Sequence, residues 1–261
     1  MKPIAFSIFP VRASLRALGH SSLGSTFGVM LSAAFAVLGG AQLSLAEQFT
    51  NANGDFSLAG NWSPASVPTG VAVIANSPAV TANLTDGLIH SLTGELYVGA
   101  TEGDGTLWAT SGTITQAGAW TAVGLNSTGV LNVNGGSVKT TALNIGWQNT
   151  SSGTVTLSSG LVAPSALTSI GSASVNATGT LNVSGTGTFN AGSSIFVGYN
   201  GGTGYLNISG GYLGIDSIGA MNLGLFGGSN GHVVQSGGTV HIPTDWLNIG
   251  AGGGGGPVPT S

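Results

Sequence analysis

Short runs of alternating apolar and polar residues, bounded by glycine, recur along most of the chain. The stretch GYLNISGG at residues 204–211 has near copies in GVLNVNGG at 129–136 and GTLNVSGT at 179–186. The opening glycines are 24 to 27 residues apart: Gly105, Gly129, Gly153, Gly179, Gly204 and Gly231. A second series, each preceded by an aliphatic residue, is spaced by 22 to 27 residues: Gly99, Gly124, Gly146, Gly171, Gly198, Gly224 and Gly250. Two series with one period indicate an internal structural repeat.

The apolar positions within each repeat have the two-residue period of a β-strand. Residues two and four positions after each opening glycine are mostly apolar, as are residues one and three positions before each glycine of the second series. Positions two apart lie on the same face of a strand, so both sets are predicted to face a common interior. A third short segment follows the double glycine of the repeat and is predicted to be a third strand. The repeat region lacks the 3.6-residue apolar period of a helix.

Three short strands and three turns per repeat predict an all-β fold, a right-handed parallel β-solenoid. We expect about six or seven coils of about 25 residues over residues 96–250, preceded by an irregular β cap at 47–95. A propeller is excluded because each blade needs about 40 residues. Stacked coils would align equivalent asparagines into side-chain ladders. Those asparagines are Asn132, Asn182 and Asn207 in one set, and Asn144, Asn222 and Asn248 in another.

The first 46 residues have the features of a bacterial secretory signal peptide. A basic N-terminal region precedes the apolar stretch at residues 26–39, and Ser44 and Ala46 occupy the small-residue positions of a cleavage site. Cleavage after Ala46 would place the mature chain outside the cell or on its surface. The alternative is a retained anchor, because residues 17–46 carry no charge and about 20 apolar residues span a bilayer. Residues 251–261 have the Gly/Pro composition of a linker or truncated tail.

Composition limits the classes of partner. The chain is 41% hydrophobic and only 5% charged, with 47 glycines and no cysteine. Beyond residue 46, Lys139 is the only lysine or arginine against eight acidic residues. One lysine cannot neutralise a phosphate backbone, so nucleic acid is excluded as a partner, and a membrane is expected only through an uncleaved signal segment.

The sequence contains few groups capable of catalysis or metal binding, and we predict no catalytic residues and no cofactor. Glu102 and Asp104 are the candidates for a calcium site, but calcium-binding β-rolls repeat their aspartates in every turn and these acids occur in one coil. The segment GGSNG at 227–231 matches the Gly-x-Ser-x-Gly pattern of a serine nucleophile, yet it lacks the strand-to-helix elbow that this motif requires. Solvated turns explain both segments.

Aromatic residues recur among the coils and are the candidates for ligand binding. Exposed rings could stack on sugars, with asparagine and threonine as hydrogen-bond partners; the alternative is that they cover coil edges and corners. The tryptophans in question are Trp108, Trp120, Trp147 and Trp246. The tyrosines are Tyr97, Tyr199, Tyr205 and Tyr212.

The pattern of Asn61-Trp62 and Val67-Pro68, followed by coils that read VGxxxxGxLNVSGG, resembles bacterial exported β-strand repeat proteins. These include autotransporter-associated repeat proteins and proteins of the PEP-CTERM sorting type. The resemblance implies secretion or a cell-surface location, often without known enzymatic activity. The C-terminal barrel or sorting anchor of those families does not occur before Ser261. After Gly250 the chain passes directly into the Gly/Pro-rich segment without a capping segment, so it is expected to be a fragment or to have its last coil protected by a partner.

The sequence therefore predicts an exported, non-enzymatic structural or adhesive protein, a surface stalk or matrix component. A carbohydrate-binding module is the alternative, with extracellular polysaccharide or surface components as partners. A polysaccharide lyase or hydrolase is the third hypothesis. A lyase would need several cations to neutralise a uronate, and Lys139 stands alone. A glycosidase needs two carboxylates about 5–10 Å apart, and Glu102 and Asp104 lie on a tight glycine turn that seldom forms a dry cleft.

Overall fold

The computed structural model describes residues 46–216, 219–242 and 246–250. This part of the protein is all-β, with strands β1 to β21 numbered in chain order, and it contains one helical turn, a 3₁₀ helix at Ala59–Asn61. Nowhere in these residues is there a helix long and apolar enough to cross a membrane. The predicted signal peptide, except Ala46, and the predicted tail at 251–261 lie outside the described residues.

The strands form two sheets. Sheet A contains ten strands: β1 Glu47–Phe49, β3 Trp62–Ser63, β4 Ala72–Ile74, β7 Leu96–Val98, β10 Trp120–Leu125, β12 Ala142–Trp147, β14 Thr168–Ser172, β17 Ile195–Tyr199, β19 Met221–Leu225 and β21 Leu247–Ile249. Sheet B contains eleven strands: β2 Asn53–Asp55, β5 Val80–Leu84, β6 Ile89–Leu92, β8 Gly105–Ala109, β9 Thr113–Gln116, β11 Thr128–Thr140, β13 Ser152–Pro164, β15 Thr178–Val183, β16 Thr188–Ala191, β18 Thr203–Ile215 and β20 Asn230–His241.

Successive coils pair in parallel and in register, which confirms the predicted β-solenoid with its spacing of about 25 residues. In sheet A, for example, Val123 pairs with Ile145, and Ile145 pairs with Ile170. In sheet B, Leu181 pairs with Val155 and with Leu206. Equivalent residues of the repeat therefore form columns that run along the stack.

The stack has about eight turns and begins earlier than the predicted boundary at residue 96. β4 pairs in parallel with β7, and β5 pairs in parallel with β8, so the segment predicted as an irregular cap contributes strands to both sheets. The two glycine series did not indicate this coil because it has other residues at both glycine positions. Ala75 directly follows β4, where later coils have a glycine, and Val80 pairs with the opening glycine Gly105 of the next coil. Its core positions still follow the pattern of later coils, since Ala82 and Leu84 are fully buried.

The interior is filled by columns of aliphatic side chains. Positions predicted to face inward are completely buried through most of the stack, and full burial of one such side chain stabilises the fold by about 1.5–3 kcal/mol. One column of sheet B consists of Leu107, Leu131, Val155, Leu181 and Leu206. One column of sheet A consists of Val98, Val123, Ile145, Ile170 and Val197.

The two glycine series meet at the corner where the chain passes from sheet A to sheet B. Gly146 follows the core residue Ile145 and has φ +65°, a region that other residues rarely adopt. Gly153 lies against the preceding coil, and a Cβ placed on it would stand 2.0 Å from the Val123 carbonyl oxygen and 2.2 Å from the Gly146 nitrogen. One glycine therefore provides the turn and the other permits the close backbone approach.

The N-terminal end of the stack is closed by aromatic residues. β3 pairs with β1 antiparallel to the coil direction. The Trp62 ring contacts Phe49 and Phe56 edge-on, with centroids 5.0 and 5.1 Å away, and its Nε1 donates to the Phe56 carbonyl at 2.7 Å. Asn61 is buried beside it and donates to the Asp55 carbonyl at 2.8 Å. The Asn-Trp pair is thus a structural feature of this end.

Candidate binding surface

The aromatic residues singled out from the sequence are divided between the outer faces of two sheets. Trp120 and Trp147 lie on sheet A, and Trp246 immediately precedes the last strand of that sheet. Trp108 lies in β8 of sheet B, and its side chain is 42% exposed. The structure therefore brings together two of the four tryptophans and places the other two elsewhere.

Trp120 and Trp147 form an aromatic row with Tyr97 on the outer face of sheet A. Their rings meet edge to face, with centroids 5.2 Å apart for Tyr97 and Trp120 and 4.9 Å apart for Trp120 and Trp147. Tyr97 is only 5% exposed and packs with the buried Val73 and Ala122. This row forms a second apolar cluster, outside the main core.

Burial of this face is reflected in the acidity of its tyrosines. Burial raises the pKa of the Tyr97 phenol, and the Glu95 and Glu102 carboxylates raise it further. Tyr199, in a later coil of the same sheet, contacts Phe196 and Phe226, and burial also raises its pKa. Both phenols are therefore neutral at physiological pH and serve as packing groups.

The outer face of sheet B contains an aromatic pair. Tyr205 and His232 occupy the same column in successive coils, and their rings stack with centroids 4.9 Å apart and an angle of 10° between the planes. Tyr205 is 38% exposed. Both residues directly follow an opening glycine of the repeat, Gly204 and Gly231, but the stacking of their rings depends on the register between coils.

The two residues proposed as calcium ligands, Glu102 and Asp104, do not form a metal site in the structure. Asp104 accepts a hydrogen bond from the Thr128 amide of the next coil at 2.8 Å through Oδ1. Glu102 lies in the preceding turn, near enough to Tyr97 to raise the pKa of its phenol. Within the described ranges, no group of three or more His, Cys, Asp or Glu side chains could hold a metal ion.

The GGSNG segment forms part of a turn. Ser229 Oγ donates to the Leu225 carbonyl at 2.9 Å and accepts from the Gly201 amide of the preceding coil at 2.9 Å. His232 stacks on Tyr205, while His241 lies beside Tyr212 with ring centroids 6.4 Å apart. Each of these groups thus contacts the previous coil, and Ser229 has a structural role.

Asp86 and His90 form a polar contact near the N-terminal end. His90 Nε2 lies 2.7 Å from Asp86 Oδ2, and the Leu88 amide donates to Asp86 Oδ1 at 3.0 Å. Burial raises the pKa of the Asp86 carboxyl, but the Leu88 amide and His90 outweigh it and hold the pKa below the ordinary value of 3.8. The His90 ring also packs edge-on against Phe56 at 5.2 Å. The pair fastens the turn between β5 and β6 to the aromatic end of the stack.

Comparisons with models of known protein families, with curated proteins and with solved structures found no match. The resemblance to exported β-strand repeat proteins therefore rests on the residues of the chain itself and stays a prediction.

Proposed function

We propose that this protein is an exported, non-enzymatic structural or adhesive β-solenoid that acts through the outer faces of its coils at the cell surface or in the extracellular matrix. The observation that supports this proposal is how the repeat uses its side chains. Apolar residues fill the interior, glycines form one corner, and the outer columns carry mostly uncharged side chains. A stack of this kind presents extended surfaces, on which adhesion depends.

The positions of the acidic groups favour this function over a lyase or hydrolase. A glycosidase holds two carboxylates on either side of a scissile bond. Here the Asp104 carboxylate accepts a backbone amide, and the Asp86 carboxylate accepts hydrogen bonds that close a turn. Lys139 is exposed on a separate part of sheet B, in the second half of β11.

Export is tested by expressing the full chain in a bacterial host beside a variant that lacks residues 2–46. We expect the full chain outside the cytoplasm, with a mass that corresponds to a protein beginning at Glu47, and the variant in the cytoplasm. Recovery of the intact full chain from the cytoplasm would contradict the proposal. The exported protein is then incubated with a polysaccharide panel, where release of oligosaccharides would contradict a non-enzymatic role.

A further inference from the structure

The parallel register of sheet B aligns outward-facing residues of successive coils into two neighbouring columns. We define the sheet B strip by these columns between β8 and β18. The first column is Thr106, Val130, Thr154, Thr180 and Tyr205. The second column is Trp108, Asn132, Thr156, Asn182 and Asn207. Neighbouring side chains are about 4.8 Å apart along the stack and about 6.8 Å apart along each strand.

Aromatic rings stand near both ends of this strip. Trp108 is 42% exposed and Tyr205 is 38% exposed, whereas the equivalent positions between them carry hydroxyl, amide or small aliphatic groups. The two rings are four coil steps apart, which corresponds to about 19 Å. Tyr205 is supported from the next coil by the parallel ring of His232. Two exposed rings therefore lie apart on one surface of the stack, and the His232 ring covers one face of Tyr205.

The charge of the strip limits the chemistry of its ligand. Between β8 and β18 neither column contains an acidic or basic residue, and the first column continues to His232 in β20. The nearest acid along the chain, Asp104, is bonded to the Thr128 amide at the corner. A polyanion would find no lysine or arginine on this strip. A protein partner would need a continuous apolar centre, whereas here the residues between the two rings are polar except for Val130. Hydroxyl and amide groups between two exposed aromatic rings match the alternating hydroxyl and C–H surfaces of a neutral sugar chain.

We infer that the sheet B strip binds an extended chain of a neutral polysaccharide, which lies along the stack and contacts Trp108 and Tyr205 at its two ends. Sugar rings stack on the two aromatic side chains. The asparagine and threonine side chains between them exchange hydrogen bonds with the sugar hydroxyls. This inference rests on the proposed adhesive function and names the ligand of that function and the surface that binds it.

The test uses the full chain and affinity electrophoresis in gels that contain soluble neutral glucans, mannans and xylans, with alginate and polygalacturonate as charged counterparts. We expect retardation by at least one neutral polysaccharide and none by the polyuronates. Trp108→Ala and Tyr205→Ala should each weaken binding about tenfold, which corresponds to about 1.4 kcal/mol for the loss of one ring-stacking contact. The matched control is Trp246→Ala, which removes an exposed ring associated with sheet A.

Each result decides the inference. The inference would be overturned if both sheet B variants were retarded as strongly as the wild type, or if Trp246→Ala lost binding to the same extent. It would also be overturned if the polyuronates retarded the protein more strongly than the neutral polysaccharides, or if no neutral polysaccharide bound. Circular dichroism of the variants separates loss of a contact from loss of the fold. Export and the absence of turnover are measured separately, so failure of this inference leaves the proposed function standing, and cytoplasmic retention contradicts that function whatever binds to the strip.

Discussion

At the scale of single residues, the corner between the two sheets explains why glycine recurs at two positions of every coil. Gly153 contacts backbone atoms of its own and the preceding coil, and these atoms belong to the hydrogen-bonded ladder of sheet A. A neighbouring side chain could rotate away from an added methyl group, but a backbone in this ladder cannot. The requirement for glycine is therefore steric and comes from stacking.

We predict that Gly153→Ala lowers the free energy of unfolding by about 3 kcal/mol, the upper end of the usual cost of overpacking, because the fixed backbone around it cannot move away. Chemical denaturation with a circular dichroism signal measures the change. The control is Gly227→Ala, where an added Cβ meets nothing within 4 Å. That variant should stay within about 0.5 kcal/mol of the wild type. Similar stabilities for the two variants would contradict the steric account.

At the scale of the strand, stacked asparagines form the predicted ladders in part. Asn207 Nδ2 donates to Asn182 Oδ1 at 2.9 Å, and Asn248 Nδ2 donates to Asn222 Oδ1 at 2.8 Å. The predicted extension to Asn132 is wrong, because its neighbours in the column are Trp108 and Thr156. Asn144 is likewise flanked by Ala122 and Ser169. A ladder needs asparagine in successive coils.

We predict a coupling of about 1 kcal/mol between Asn182 and Asn207, the usual net contribution of one hydrogen bond. The measurement is a double-mutant cycle with alanine at both positions, followed by chemical denaturation. The control cycle pairs Asn132 with Asn182, which lie two coils apart and share no hydrogen bond among the described residues. That cycle should show additive effects. Additive effects of the Asn182 and Asn207 substitutions would show that the hydrogen bond between these side chains does not stabilise the fold.

At the scale of the stack, the first and last coils of the described residues differ in how far their inward side chains are covered. At the N-terminal end, Phe49 and Phe56 are completely buried and Trp62 is 2% exposed. In the last coil, Leu247 is 57% exposed and Ile249 is 73% exposed. β21 forms the edge of sheet A there, and it is paired only with β19 among the described residues. Each coil is stabilised by its neighbours, so the end coil receives about half the contacts of a central one.

We predict that backbone amides in β20 and β21 exchange hydrogen at least about 100-fold faster than those in β12 and β14, since end coils open locally while central coils open only with global unfolding. Native-state hydrogen exchange read by mass spectrometry of peptic fragments measures the difference. The strands β1 and β4 at the aromatic end are the internal control and should be better protected than β21. Uniform protection along the stack would show that its coils open as one unit.

Much of this architecture could be predicted from local sequence. A two-residue apolar period specifies strands with one buried face, and a repeat of about 25 residues is too short for a propeller blade, so the solenoid followed from the pattern alone. The coil of β4 and β5 was missed because its corner lacks the two glycines, although Ala82 and Leu84 keep the core pattern. Its membership in the stack is set by pairing with β8, which is a long-range contact.

The sequence by itself determined which residues face inward, because burial of alternating apolar side chains is a local property of each strand. Only the tertiary structure decided which outward residues become neighbours, since columns form between residues that are about 25 positions apart in the chain. Trp120 and Trp147 thereby pack with Tyr97, whereas Trp108 and Tyr205 stand apart on the sheet B strip. The proposed binding surface arises from that register, because parallel coils turn a periodic sequence into a continuous face.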